Sequence, residues 1–271
     1  MNQKDLFDLK ARIKKRARTI KSGMFIQEFV RDEILERIKG INRKFKSISI
    51  VTGFSELWLQ ALPSAKIVSD DELLNFKSQN VDLIIHSMGL HHSNDPVGQI
   101  IQCARFLRPD GLFIGACFGG QTLFELRDSL ASAEIELYGG ISPRVSPMAD
   151  IRDMGGLLQR AQLALSVADI TNIPVKYKDM FHLMKDLRNM GETNIMNART
   201  KKLTHHNLFK NAQKYYQSKY SDVSGKINST YDLIFFSGWA PHASQPKPLR
   251  PGSSTKTLKE VLNATKAKSN D

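Results

Sequence analysis

Residues 81–87, Val-Asp-Leu-Ile-Ile-His-Ser, form a mostly continuous apolar run, as expected for a parallel strand that is buried on both faces of its sheet. A second such run follows at Leu112–Phe118. Between the two, Asp95 and Pro96 predict the start of a helix that continues to about Leu107, because Asp caps free N–H groups and Pro suits the first helical position. Strand, helix and strand in this order predict a right-handed parallel α/β sheet.

The alternation of strand and helix extends outward over residues 47–138. On the N-terminal side, Ile48–Val51 and Lys66–Val68 are predicted as short strands, with a short helix at Leu57–Leu62 between them. On the C-terminal side, Thr122–Glu125 shows a capping-box pattern, which predicts a helix that ends near residue 138. The remaining predictions are helices at 5–21, 24–39 and 153–162, strands at 163–171 and 231–236, and helical stretches near 179–190 and 204–220.

These elements divide the chain into three predicted regions. Basic N-terminal helices occupy residues 1–46, and the α/β domain occupies residues 47–252. The domain carries a helical insertion at about 174–222, before its last strand, and ends in an extended Pro-rich arm at 239–252, since four prolines exclude a helix or an interior strand. A basic tail follows at 253–271.

The length and composition favour one soluble domain with elaborations. The chain has 271 residues, of which 41% are hydrophobic, so a largely disordered chain is excluded. No apolar run is long enough to span a membrane, and no signal peptide is expected. Cys103 and Cys117 lie in apolar segments and are expected to be buried thiols, which favours a cytoplasmic location.

The positive charge lies at the two ends of the chain. The net charge is +12; residues 1–46 carry 14 basic and 6 acidic side chains, and residues 241–271 carry 6 and 2. The simplest interpretation is a soluble, generally adhesive basic arm, with an acidic partner or a peripheral contact to an anionic membrane as alternatives. Nucleic acid is not expected, because basic residues and aromatics are not concentrated together on the domain. An RNA-directed enzyme is the weakest alternative.

Several motifs together resemble one family. Residues 81–95 (VDLIIHSMGLHHSND) resemble the fourth strand and following loop of class I SAM-dependent methyltransferases, and residues 107–111 (LRPDG) resemble the turn before strand five. Four further motifs are more specific: 118–127 (FGGQTLFELR), 139–147 (GGISPRVSP), 190–194 (MGETN) and 238–245 (GWAPHASQ). With these, the chain resembles the methyltransferase-like assembly factors of respiratory complex I, which are related to the malonyl-carrier-protein methyltransferase of biotin synthesis.

The resemblance implies a Rossmann-like sheet of seven strands with a helical insertion, SAM binding at the carboxyl ends of the first strands, and a complex I subunit as substrate or partner. One branch of the family is described as hydroxylating an arginine of such a subunit. The implied cofactor-binding residues are Gly53 after strand one, Asp70 at the adenine-contacting position, and Ser87 and Met88 at the end of strand four. His91 matches a histidine of the loop above the crevice.

The first half of the sequence departs from this pattern. The turn at residues 51–58 (VTGFSELW) has one glycine, and only about 30 residues separate Val51 from Val81, which holds roughly one and a half strand–helix units. Residues 69–76 match the third strand, so the second strand and its ribose-binding acid are missing. The fold prediction is therefore a methyltransferase-type sheet with a truncated first half. Asp70 is equally well interpreted as the N-cap of a short helix, and Glu56 is a possible replacement for the missing acid.

Two other groups invite a chemical role. No metal site is expected at His91 and His92, because adjacent residues of an extended loop point in opposite directions and no further His or Cys lies nearby in sequence. Arg144 is expected either to hold a carboxylate of SAM or substrate or, more simply, to pair with Asp150 or Asp153.

Two functions follow from these observations. The first is a SAM-dependent methyltransferase or related modifying enzyme that acts on or assembles a complex I subunit. The second is a non-catalytic assembly factor that retains the fold and has lost SAM binding. The motifs favour the first, and the shortened first half favours the second.

Overall fold

The computed structural model describes residues 5–77 and 79–246. Residues up to Pro241 belong to one compact unit, and the described part of a second unit, residues 242–246, is a turn in which Gln245 N donates to His242 O. Residues 247–252 of the expected Pro-rich arm and the expected basic tail at 253–271 lie outside the described residues.

The described residues form one six-stranded sheet, ordered β2-β1-β3-β4-β6-β5. The strands are β1 (Ile48–Thr52), β2 (Lys66–Val68), β3 (Val81–Ser87), β4 (Leu107–Gly119), β5 (Ala164–Tyr177) and β6 (Ile227–Trp239). The first four pair in parallel, and β6 is antiparallel to both β4 and β5. This mostly parallel sheet confirms the predicted α/β class.

Helices cover both faces of the sheet. They are α1 (Leu9–Arg16), α2 (Phe25–Lys39), α3 (Ser55–Ala61), α4 (Pro96–Phe106), α5 (Phe124–Tyr138), α6 (Ile151–Arg160), α7 (Met180–Asn189) and α8 (His206–Tyr220). Leu83 and Ile85 belong to the core that α2, α5, α7 and α8 cover, whereas Ile84 belongs to the core under α4 and α6. Alternate side chains of β3 point to opposite faces, so burial on both sides explains its continuous apolar run.

The first half of the sheet is short. Between β1 and β3 the described residues contain one strand, β2, and one helix, α3. β2 has three residues and pairs directly with β1, Ile50 lying opposite Ile67. The described residues form six strands where the resemblance implies seven, which agrees with the predicted truncation. Residues 69–76, which were matched to the third strand, form no strand, so that assignment is wrong.

The predicted capping box at the start of α5 is wrong. Leu123 precedes the helix with φ +55° and makes no side-chain cap. Thr122 Oγ1 instead accepts a hydrogen bond from Asp232 N at 2.9 Å, and Glu125 accepts one from Thr230 Oγ1 at 2.6 Å. Partners on β6, more than 100 residues away, displace the local pairing.

The strand before the helical insertion is longer than predicted. The sequence prediction ended it at Thr171, whereas β5 continues past Pro174 to Tyr177. β5 pairs with β6 along this length and forms the edge of the sheet, where proline is tolerated. The insertion helices are α7 and α8, close to their predicted positions.

Candidate functional site

The four predicted cofactor-binding residues lie together at the carboxyl ends of the first strands. Gly53 follows β1, Asp70 follows β2, and Ser87 ends β3, where it pairs with Thr52 of β1; Met88 is the next residue. Ligands of open α/β sheets bind at this edge. The structure brings these residues together, and their role in cofactor binding stays a prediction.

An arginine from the N-terminal helix lies in the middle of this crevice. Arg16 Nη1 is 2.8 Å and 2.6 Å from the two carboxylate oxygens of Asp70, and Nη2 donates to Met88 O at 3.1 Å. The guanidinium also lies 5.0 Å from the ring centroid of Phe54. A Cβ at Gly53 would overlap the Arg16 guanidinium. The close approach that a glycine permits is therefore used here by a side chain of the same protein.

A second arginine completes the ion pair. Arg12 is buried, donates from Nη2 to Asp70 O at 3.0 Å, and has Nη1 3.6 Å from Asp70 Oδ2. Burial alone raises the pKa of Asp70, but the charges of Arg16 and Arg12 outweigh it and hold that pKa below its ordinary value. Asp70 is therefore a buried carboxylate whose charge is balanced by two guanidiniums. The alternative N-cap role is wrong, because no helix begins in residues 69–77.

Contacts on two sides hold α1 in this position. Phe7, just before the helix, exchanges two hydrogen bonds with the Asn94 side chain, Phe7 N to Oδ1 at 2.8 Å and Nδ2 to Phe7 O at 3.1 Å. Asp8 N donates to Ile195 O at 2.8 Å, and Asp8 Oδ2 pairs with Arg199 at 2.7 Å. The segment 190–199 after α7 and the loop before α4 thus fix the register at which Arg12 and Arg16 enter the crevice. Two of the N-terminal basic residues, Arg12 and Arg16, therefore form ion pairs inside the protein and do not belong to an exposed arm.

The described residues of this crevice do not fit SAM while α1 is in place. The carboxylate expected to contact the adenine amine, that of Asp70, is already engaged by Arg12 and Arg16. A cationic sulfonium would also meet two guanidiniums. Glu56, the candidate replacement acid, is exposed on α3.

The second half of the molecule contains a cavity of about 470 Å³. Its polar lining includes His91 and Arg144, the two predicted substrate or partner residues, together with Lys15, His92 and Glu192. The apolar lining comes from β4, α5, α7, α8 and β6: Phe118, Leu126, Leu130, Met184, Phe209 and Tyr231. His91 and Arg144 therefore face one cavity, although binding of a substrate there stays a prediction.

Arg144 pairs with a residue that the sequence analysis did not consider. Its Nε lies 2.7 Å from Glu134 Oε1, and Glu134 also accepts from the backbone and hydroxyl of Ser142. The expected partner Asp150 instead caps α6, and Asp153 lies in the first turn of that helix, so the predicted pairing is wrong. The chain after α5 folds back over the end of the helix, which brings Glu134 closer than either aspartate.

Two histidines and a glutamate meet at the edge of this cavity. His91 Nε2 is 3.1 Å and His92 Nδ1 is 3.6 Å from Glu192 Oε2. The loop is a 3₁₀ turn, Leu90–His92, rather than an extended segment, so the two rings lie 4.3 Å apart between centroids. The expectation that His91 and His92 point in opposite directions from an extended loop is therefore wrong. Burial lowers the pKa of His92 well below its ordinary value.

Sequence reasoning missed Glu192, Arg12 and Arg16. Glu192 lies within residues 190–194, a motif used for the resemblance without a role for its carboxylate. Gly191 has φ +78°, and a side chain there would meet Thr19. Gly191 therefore packs closely against Thr19 and Arg16, a contact that no short-range pattern in the sequence indicates.

Within the described ranges, no helix combines the length and apolarity that a membrane span requires. Both cysteines are free and buried.

Comparison with known proteins finds methyltransferase-like relatives of this chain. A family model described as a methyltransferase domain matches residues 32–115. Arginine-hydroxylase NDUFAF5, mitochondrial, of Homo sapiens is 40% identical over 200 residues, which cover 74% of this chain and 58% of that protein. A malonyl-[acyl-carrier protein] O-methyltransferase of Laribacter hongkongensis is 29% identical, over 72% of this chain and 63% of that protein.

A solved putative methyltransferase from Bacillus halodurans has a TM-score of 0.48 at 13% identity, over 77% of this chain and 98% of that one. The chain spans about three fifths of the length of the human relative.

Proposed function

We propose that this chain, a sequence relative of the arginine-hydroxylase NDUFAF5 proteins with a match to a methyltransferase domain, has a class I methyltransferase fold and serves a subunit of respiratory complex I without using SAM. The relatives support the connection to a modified protein subunit. The independence from SAM is supported by one observation above all, the ion pair of Arg16 with Asp70 between Gly53 and Met88.

The cavity of the second half is the binding surface in this proposal. Its walls are apolar, and four basic side chains, Lys15, Arg144, Lys185 and Arg188, line it as well. Phe181 is half exposed at the same cavity. An apolar cavity with basic side chains fits a protein segment that inserts a hydrophobic side chain and carries acidic groups beside it.

The proposal is tested in two steps. Isothermal titration of the full chain with SAM and with S-adenosylhomocysteine is expected to give no binding in the micromolar range, and micromolar binding would overturn the SAM-free part. In a deletion strain, complex I assembly is expected to fail and to be restored by the wild-type chain. Normal assembly in the deletion strain would overturn the assembly part.

A matched pair of variants connects the assembly role with the cavity. Phe181→Asp places a charge at the cavity and is expected not to restore assembly. Val223→Asp is the control, since Val223 is fully exposed in a turn away from the cavity, and it is expected to restore assembly. If both variants restored complex I assembly equally, the cavity would not be the binding surface.

SAM-dependent methyl transfer is the second candidate. The match of residues 32–115 to a methyltransferase domain favours it, as does the retained grouping of Gly53, Asp70 and Met88 beneath α1. It requires that Arg12 and Arg16 leave the crevice. The double variant Arg12→Ala/Arg16→Ala is then expected to bind S-adenosylhomocysteine more tightly than the wild type.

The compartment is also a proposal. Two free, buried thiols are compatible with the cytoplasmic location expected from the sequence, whereas the NDUFAF5 relatives are named mitochondrial. Cell fractionation of the tagged full-length protein in its native host decides between the two, and a membrane-enclosed fraction would overturn the cytoplasmic location.

A further inference from the structure

We propose that His91, His92 and Glu192 bind a divalent first-row transition metal ion at the edge of the cavity. Each residue offers one ligand atom, and the three atoms lie within 4.8 Å of one another. Two imidazoles and one carboxylate that leave further positions open are the ligand set of non-haem Fe(II) sites, and the same ligand types bind Zn(II). The inference does not depend on whether the crevice of the first half binds SAM.

The distances between the ligand atoms suit a single ion. Bonds of about 2.1 Å with angles between 90° and 110° put neighbouring ligand atoms about 3.0–3.4 Å apart. The observed separations are 3.1 Å from His91 Nε2 to Glu192 Oε2 and 3.6 Å from His92 Nδ1 to the same oxygen. The two histidine nitrogens lie within 4.8 Å of each other, so an ion bound by all three residues requires a movement of the histidine side chains toward Glu192.

Unpartnered polar atoms support the same conclusion. His92 Nδ1 and Glu192 Oε1 are buried and have no hydrogen-bond partner among the described residues. The Glu192 side chain is 4% exposed. Burying a carboxylate oxygen and an imidazole nitrogen without a partner is costly, and buried polar groups usually have one. A metal ion satisfies the imidazole nitrogen directly and neutralises the carboxylate.

The surroundings define what kind of metal site this is. All three ligands face the cavity, so the remaining coordination positions are open to a bound molecule or to water. Lys15 lines the same cavity and carries a positive charge, whereas the charges of Arg12 and Arg16 are balanced in part by Asp70. We therefore expect weaker binding than at a closed structural zinc site.

The test uses the full chain without an affinity tag, titrated with Zn(II) by calorimetry and with Co(II) by optical absorption. We expect one ion per chain and Co(II) bands that Zn(II) abolishes. Glu192→Gln and His92→Phe are expected to weaken binding by more than about 100-fold, since even the outer partners of a ligand are worth about 10- to 100-fold. Circular dichroism of the metal-free variants shows that they are folded.

His205 and His206 supply the matched control. They are a second pair of adjacent histidines, exposed at the start of α8, with ring centroids 4.5 Å apart. His205→Ala/His206→Ala is expected to keep the affinity and the Co(II) spectrum of the wild type. Absence of binding by the folded wild type, unchanged affinity in folded Glu192→Gln, or loss of the site in the His205/His206 variant would each overturn the inference.

Discussion

The crevice at the carboxyl ends of β1 to β3 and the cavity beside α5, α7 and α8 are built in opposite ways. In the crevice, the Asp70 carboxylate is held by Arg12 and Arg16, although Arg12 Nη1 and Arg16 Nε have no hydrogen-bond partner among the described residues. In the cavity, about 470 Å³ is open, and buried atoms of His92 and Glu192 have no partner among the described residues. The crevice where SAM binding is predicted is occupied by Arg16, and the cavity after β4 is open.

This difference accompanies the short first half of the sheet. Loss of about one strand–helix unit leaves β2 directly beside β1, and α1 covers the exposed end of the shortened sheet. The basic N-terminal helix is thus part of the domain's structure. Function is inferred from the site and not from the fold alone.

The largest expected effect comes from Asp70→Asn. This change leaves two guanidiniums without their buried counter-charge, so we expect the free energy of unfolding to fall by about 3–5 kcal/mol. Urea denaturation of the wild type and the variant measures it. Asp71→Asn is the control, since Asp71 is 55% exposed and lies 3.5 Å from the same Arg12, and a loss below about 1 kcal/mol is expected. Equal losses would contradict a filled crevice.

The next effect is a pH dependence caused by His86. Burial lowers the pKa of His86 from 6.5 to about 4, while Asp70 and a hydrogen bond to Gln99 partly oppose the shift. The unfolded chain therefore binds a proton that the folded chain does not between pH 4 and 6.5, and about 3 kcal/mol of stability is lost as the pH falls through that range. Unfolding midpoints from pH 7 to 4 test this, and His86→Gln is expected to flatten the profile. If His86→Gln kept the pH dependence of stability seen in the wild type, other titratable groups would be responsible for the loss of stability.

A smaller effect is expected in the cavity wall. Leu126→Ala enlarges a space that already exists, so we expect a loss of about 2 kcal/mol, the low end for a buried leucine. Leu158→Ala is the comparison, because Leu158 is fully buried in α6 on the opposite face and a new void forms there. Denaturation should show the larger loss for Leu158→Ala, and the reverse order would indicate that the cavity is closed in solution.

The smallest effect is expected for an ion pair on the sheet edge. Arg37 Nη1 lies 2.6 Å from Asp169 Oδ2, with side chains 30% and 43% exposed. Exposed pairs contribute about 0–1 kcal/mol, so Asp169→Asn should lower stability by less than about 1 kcal/mol. If Asp169→Asn lowered the free energy of unfolding as much as Asp70→Asn, burial would not explain the difference between the exposed ion pair and the buried one.

Local patterns in the sequence predicted the sheet well. The strands at residues 81–87 and 112–118 were visible because both faces are apolar, and the count between Val51 and Val81 revealed the truncation. Contacts across long stretches of chain were not visible. Arg16 and Asp70 are 54 residues apart, and His91 and Glu192 are 101 residues apart. The capping box failed for the same reason, because partners on β6 replaced the local ones.

The central claim is that α1 occupies the cofactor crevice, and a crystal structure grown with excess S-adenosylhomocysteine tests it most directly. We expect Arg16 Nη1 to lie within hydrogen-bond distance of both carboxylate oxygens of Asp70, at the 2.8 Å and 2.6 Å seen here, and we expect no ligand density between Gly53 and Met88. Ligand density at that position, with α1 displaced and Asp70 turned toward the adenosine, would contradict it.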